Sequence, residues 1–203
     1  MLIGVASLYP QVGKSEVVNH LKRKHGFINT EMSDAISIIA EKFFGYNGDK
    51  SDPAQRKILQ DLGLMGKGLY PTMWFYHSLG LARRRKWGLS TDSLVSPSFL
   101  FHYNLQPIME EIKEKGIDKF MEGANVVIGG VRSSGEADEI LKIGGKVILI
   151  IRNEKELIDS GRENHKVESQ LKGYGKFSKV IVNNGTLEDL YNTVDKMLEK
   201  GFE

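Results

Sequence analysis

Val12-Gly13-Lys14-Ser15 stands between a short apolar run, Leu2 to Ala6, and a stretch in which Val17, Val18 and Leu21 have helical spacing. A strand that passes into a helix through Gly-Lys-Ser has the parts that phosphoryl transfer needs. These are backbone N–H groups to wrap phosphates, a lysine for the β/γ charge and a hydroxyl for Mg²⁺. On this reading Val12, Gly13, Lys14, Ser15 and Glu16 hold the nucleotide of an ATP–Mg²⁺ donor. Gly13 lets the backbone approach closely, Lys14 is the catalytic cation and Ser15 is the metal-side hydroxyl. The full G-x-x-x-x-G-K-[ST] pattern has glycine where this chain has Leu8. An ordinary strand–loop–helix with a chance Gly-Lys-Ser is therefore the alternative. If the loop does work, it is expected to follow its own path, stiffened by Pro10, and not to force Leu8 into a strained turn.

Other polar residues have positions that suit anionic ligands. Arg132 follows an apolar run, Asn125 to Ile128, and open α/β sheets gather ligands at the ends of such strands. Its guanidinium can clamp a phosphate through two parallel bonds, or pair at the surface with Glu136. Arg56 and Gln60 lie one helical turn apart and can face one acceptor, or solvent. Asp34, just past a second strand, can position metal-bound water or an acceptor hydroxyl, or cap a helix. Arg83-Arg84-Arg85-Lys86, followed by Trp87, is the dense basic run. Most of it reads as a solvated helix end, with one arginine available to neutralise a transferring phosphoryl group. His165 and Glu168 are three apart, but the five histidines have no zinc spacing. No G-x-S-x-G nucleophile elbow occurs.

The elements that must position these residues alternate. Strands are expected at Leu2–Ala6, Phe27–Met32, Asn125–Ile128, Val147–Ile151 and Val180–Val182. Helices are expected from Gly13 or Lys14, through Ile36, Ile39 and Phe43, and after Asp52-Pro53 with Ile58, Leu62 and Met65 on one face. Ser133 with Glu136 reads as a capping box for a further helix, and Thr186 opens an amphipathic one through Leu190, Val194 and Met197. This rhythm predicts a three-layer α/β sandwich around a five-stranded parallel sheet, with the phosphate loop on the central strand. Residues 50–122 interrupt the rhythm. They read as a polar helical insertion, an acceptor site or lid, in a single domain whose core is 1–49 and 123–203.

With 203 residues, 40% of them hydrophobic, the chain can build one such core. Cysteine is absent, which excludes disulfides, thiolate metal sites and a cysteine nucleophile. A net charge of +2 gives no case for a nucleic-acid coat. No apolar stretch is long enough for a membrane helix and no basic leader is visible, so a soluble cytoplasmic protein is the expectation. A homodimer is compatible with all of this.

In order along the chain, the phosphate loop, Met32-Ser33-Asp34-Ala35-Ile36, Phe43-Phe44-Gly45, the Arg56 to Gly63 helix, Trp74, Val126 to Arg132 with Glu136-Ala137, Arg152, His165-x-x-Glu168 and Asn183 to Leu190 form a series. The series resembles the phage-type deoxynucleoside monophosphate kinases, relatives of adenylate kinase and dephospho-CoA kinase among the P-loop kinases. The resemblance implies transfer of the ATP γ-phosphate to a (deoxy)nucleoside monophosphate with Mg²⁺. Lys14 and Arg132 would be catalytic, and Asp34, Arg56, Gln60, Trp74 and Arg132 would bind the acceptor. The chain departs from that family at Leu8, Ser37 and Gly130, where glycine, lysine and aspartate are usual. Another small-molecule kinase, such as one acting on dephospho-CoA, and a nucleotide-binding protein without turnover are the alternatives.

Overall fold

The computed structural model describes residues 1–90, 105–152, 171 and 173–202. In chain order the elements are β1 (Leu2–Ser7), α1 (Lys14–His25), β2 (Ile28–Glu31), α2 (Asp34–Phe44), α3 (Pro53–Leu69), α4 (Met73–Lys86), α5 (Gln106–Lys115), α6 (Ile117–Phe120), β3 (Val126–Val131), α7 (Ser134–Lys142), β4 (Lys146–Ile151), β5 (Lys179–Val182) and α8 (Leu187–Lys200). They fall into two compact units, residues 1–29 with 125–203, and residues 30–124.

In the first unit the strands form a five-stranded parallel sheet in the order β2-β3-β1-β4-β5, with β1 at its centre as expected. All six residues of β1 and of β3 are buried, which is why both read as apolar runs without alternation. Ile3, Val5, Val127, Ile148, Ile150 and Ile181 present one face of the sheet. Val17, Val18 and Leu21 of α1 and Leu190, Val194 and Met197 of α8 join them in a single core. On the other face α7 comes so close that a β-carbon on Gly4 would lie 2.6 Å from Cδ1 of Ile140. Helices on both faces of the sheet make the three layers.

The capping box read from spacing is present. Ser133 Oγ accepts from the N–H of Glu136, whose carboxylate accepts from the N–H of Ser133. Thr186 and Asp189 close the same reciprocal box at the start of α8. β3 runs three residues beyond the expected Ile128. It continues through a bulge: Gly4 pairs with Ile128, but Ala6 pairs with Val131. Gly130 within it has φ 75°, a conformation that strains a residue with a side chain. The backbone itself thus favours glycine where the resembled kinases have aspartate.

The second unit is helical. Asp52 caps α3 by accepting from the N–H of Ala54 at 2.8 Å, with Pro53 in the first turn. The expectation of a polar insertion is overturned by α4, in which every residue from Met73 to Ala82 is buried. α2, α3 and α5 all pack on it, which encloses His77 and Ser78 along with the apolar side chains. The expected inner face of α3 also shifts. Leu62 and Gly66 are buried while Met65 is exposed. The cause is Trp74, whose indole fills the space over Gly66 so closely that a β-carbon there would overlap it. Among the described residues, no helix is long and apolar enough to cross a membrane.

Candidate functional site

β1 ends at Ser7, and the chain then loops to Gly13 before α1 begins. Among the described residues, the non-glycine positions with a left-handed backbone are Gln11, at φ 59°, and Glu122. Leu8 is not one of them, so the loop does avoid straining the leucine and places that conformation three residues later. Gly13 has φ 100°, and a β-carbon on it would lie 2.5 Å from Nδ2 of Asn183 and 3.1 Å from Cδ2 of Leu190. Position 13 therefore needs glycine both for its backbone angle and for the neighbours pressed against it.

Asn183 fixes this geometry from the far end of the chain. Its main-chain N–H donates to the carbonyl of Ile151 at 2.8 Å, which holds it at the exit of β5. Its side-chain Nδ2 donates to the carbonyl of Val12 at 2.9 Å. The Val12 side chain is itself fully buried in the core below. Anchored on both sides, the loop delivers α1 with Gly13 as its N-cap and no side chain capping it. The N–H groups of Lys14, Ser15 and Glu16 open the helix without intrahelical acceptors. With the helix dipole, N–H groups so placed are suited to an anion.

A cleft of about 330 Å³ lies at this end, lined by Ser7, Gln11, Lys14, Ser15, Arg152 and Asn183 among others. Lys14 Nζ donates to Ser7 Oγ at 3.2 Å, and the Ser15 side chain is exposed. Glu16 Oε2 accepts from the Tyr191 hydroxyl at 2.8 Å. That bond to a carboxylate raises the Tyr191 pKa. The cleft gathers the C-terminal ends of β1, β4 and β5, where β1 leads away to one side of the sheet and β4 to the other. Such switch points are where open sheets hold ligands. Arg152 and Asn183 were not named as site residues from sequence, although each directly follows a strand. The strand-end rule that selected Arg132 would have found both.

Arg132 follows β3, and its guanidinium is exposed and makes no ion pair among the described residues. The alternative of an Arg132–Glu136 side-chain pair does not form. Glu136 Oε2 instead accepts from the main-chain N–H groups of Arg132, at 2.8 Å, and of Ser133.

The remaining candidates belong to the second unit. Asp34 is the first residue of α2 and not its cap; its Oδ2 accepts from the Glu31 N–H at 3.1 Å and pairs with Arg85 at 2.9 Å. Arg56 is exposed and places Nε and Nη2 on the carbonyl of Lys50, at 3.1 and 2.9 Å. Gln60 is exposed one turn further along. Trp74 is enclosed, with Nε1 donating to the carbonyl of Gly63 at 3.0 Å, so it does not share a surface with Arg56 and Gln60. Gly66 thus serves close packing within α3. In the basic run every cation has a partner. Arg83 grips Glu111 at 2.6 and 3.2 Å, Arg84 donates to the Ser90 carbonyl, Arg85 pairs with Asp34, and Lys86 donates to the carbonyls of Met121 and Glu122. His165 and Glu168 lie outside the described residues.

Neither a family model nor a curated protein sequence matches the chain. Solved structures do. A sugar kinase from Janibacter sp. HTCC2649 has 13% identity and a TM-score of 0.48, over 98% of this chain and 94% of that one. Dephospho-CoA kinase from Campylobacter jejuni has 12% identity and a TM-score of 0.44, over 98% and 96%.

Proposed function

We propose that the chain is an ATP-dependent phosphotransferase for a small phosphorylated acceptor, and that the acceptor is a (deoxy)nucleoside monophosphate. The observation that carries this reading is the uncapped N-terminus of α1, opening into a cleft beside Lys14 and Arg152, with Gly13 held by Asn183. A donor set of helix amides, an ammonium group and a guanidinium suits the oxygens of a phosphate chain.

In this reading the N–H groups of Lys14, Ser15 and Glu16 bind phosphate oxygens. Lys14 leaves Ser7 and offsets charge on the β- and γ-phosphates, while Arg152 reaches the cleft from the end of β4. The exposed Ser15 hydroxyl suits Mg²⁺, which takes few protein ligands beside phosphate oxygens and water. When bound with ATP, Mg²⁺ neutralises charge on the phosphates. The protein's own contribution is positioning and electrostatics, because a phosphate acceptor oxygen is already anionic and needs no general base. Arg132, with its guanidinium uncommitted at the end of β3, is the residue suited to the acceptor phosphate.

A second reading, nucleotide binding without turnover, is favoured by Gly130. Its left-handed backbone disfavours the aspartate that the resembled kinases have there. Release of ADP from ATP–Mg²⁺ with a panel of deoxy- and ribonucleoside monophosphates and dephospho-CoA separates the readings. Turnover with one or more monophosphates is expected. Arg132→Ala should lower kcat/KM for that acceptor far more than it raises the Kd for ATP. ATP binding without ADP release on any acceptor would sink the catalytic reading, and turnover with dephospho-CoA alone would replace the acceptor.

A further inference from the structure

Among the described residues, one group of three His, Cys, Asp or Glu side chains converges closely enough to share an ion: His20, His25 and Asp195. The sequence shows no zinc spacing, since the two histidines are five apart and the third member lies on another element. The fold supplies the convergence by packing α1 against α8. We propose that these three side chains bind one divalent ion of the zinc class, at a site outside the phosphate cleft.

The geometry favours a single ion. Nε2 of His20 lies 2.7 Å from Asp195 Oδ1, and Nε2 of His25 lies 2.6 Å from the same oxygen. All three ligand atoms fall within 4.8 Å of one another. A tetrahedral ion with bonds of about 2.0–2.2 Å sets its ligand atoms roughly 3.3–3.5 Å apart. Each imidazole therefore has to withdraw from the carboxylate by less than about 1 Å, which side-chain rotation provides. Side-chain exposures of 10% for His20, 13% for Asp195 and 26% for His25 describe a pocket closed on one side and open at His25. Two imidazoles and a carboxylate select zinc, cobalt, nickel or copper over magnesium and calcium. Three protein ligands leave a position for water.

The surroundings hold the ligands in place. The Tyr191 ring stacks on His20, with centroids 4.2 Å apart and planes within 6°. Tyr191 is in turn tied by its hydroxyl to Glu16 in the first turn of α1. The stacked ring restricts rotation of the His20 imidazole. One neighbour opposes binding: Lys24 Nζ donates to Asp195 Oδ2 at 2.8 Å. It takes the oxygen that the histidines leave, so Oδ1 stays available, but its charge repels a cation. Lys24 should therefore set the strength of the site.

The test uses the full chain, stripped of metal with a chelator and titrated with Co²⁺ and with Zn²⁺. The expected result is saturable binding of one ion per chain, with a cobalt d–d absorption band and a thermal midpoint raised by Zn²⁺ but not by Mg²⁺. His25→Ala, at the open side of the site, should weaken binding at least tenfold. Lys24→Ala, whose side chain is 58% exposed, should tighten it. Absence of saturable binding would overturn the proposal, leaving the trio as a hydrogen-bonded tie between two helices. Undiminished binding in folded His25→Ala would overturn it too, by placing the ion on other residues. No readout requires phosphoryl transfer, so the site stands or falls independently of the proposed activity.

Discussion

The chain carries positive charge in two contrasting places. Around Lys14 the charge is sparse, one ammonium group and the exposed Arg152, yet it faces a cleft together with helix amides that have no intrahelical acceptors. From Arg83 to Lys86 the charge is dense, yet each cation is engaged by a carboxylate or a carbonyl of its own unit. A dense run of charge can thus be engaged within the fold while a sparse one faces a cleft. What distinguishes the loop is that Asn183 and the buried Val12 brace the backbone from below, leaving its donors directed outward.

The sharpest test of that contrast is Lys14→Ala. It should lower phosphoryl transfer by roughly 10²–10³-fold or more, the loss typical of removing a preorganised charge from a transition state. The far-ultraviolet circular dichroism spectrum should not change, since Lys14 packs no core. Full turnover in the variant would end the phosphate-loop reading. Gly66→Ala probes the other unit, where the expected effect is on stability alone. A methyl forced against Trp74 should cost about 3 kcal/mol, the upper end for overpacking, and lower the midpoint by roughly 6–12 °C. A midpoint within a degree of the parent would mean that α3 and α4 can separate there.

His77 gives the same unit a pH dependence. Burial depresses its pKa from 6.5 to about 3, so the folded state keeps it neutral. Because the unfolded chain takes up the proton first, the stabilisation is complete above pH 6.5 and is lost as the pH falls toward 3. Urea titrations at pH 7 and 4.5 should show the parent losing about 2 kcal/mol more than His77→Gln. Equal losses in the two proteins would remove the buried neutral histidine. The smallest effect is expected at Arg84, which bonds an exposed carbonyl. Arg84→Ala should change stability by under about 1 kcal/mol and leave the ATP Kd unaltered. A clear weakening of ATP binding would instead bring the basic run into the site.

Features encoded locally were legible in the sequence. The Gly-Lys-Ser turn into α1, the Asp52-Pro53 start of α3, the box at Ser133 and the helix start at Thr186 rest on residues within a few positions of each other. Features made by tertiary contact were not. Residues 50–122 read as polar as a whole, yet within them three neighbouring helices enclose α4, His77 and Ser78 included. Met65 fits the helical period of α3, but the indole of Trp74 gives the buried position to Gly66. Asp34 and Arg85, or His20 and Asp195, meet only once their helices pack. Of the proposed site residues, those from Val12 to Glu16 line or anchor one cleft, whereas Trp74 is a packing residue and Arg56 braces a loop at Lys50.

The bond from Asn183 to Val12 spans 171 positions. During synthesis the residues of the proposed phosphate loop emerge well before Asn183, which clamps them. At 5–20 residues per second that interval lasts on the order of 10–30 s. Throughout it the nascent chain holds Gly13 and Lys14 without the brace that aims their N–H groups. Nucleotide affinity should therefore appear late and abruptly as the chain lengthens past β5. A ribosome-bound fragment ending before residue 179 would carry the whole motif and yet lack its shape.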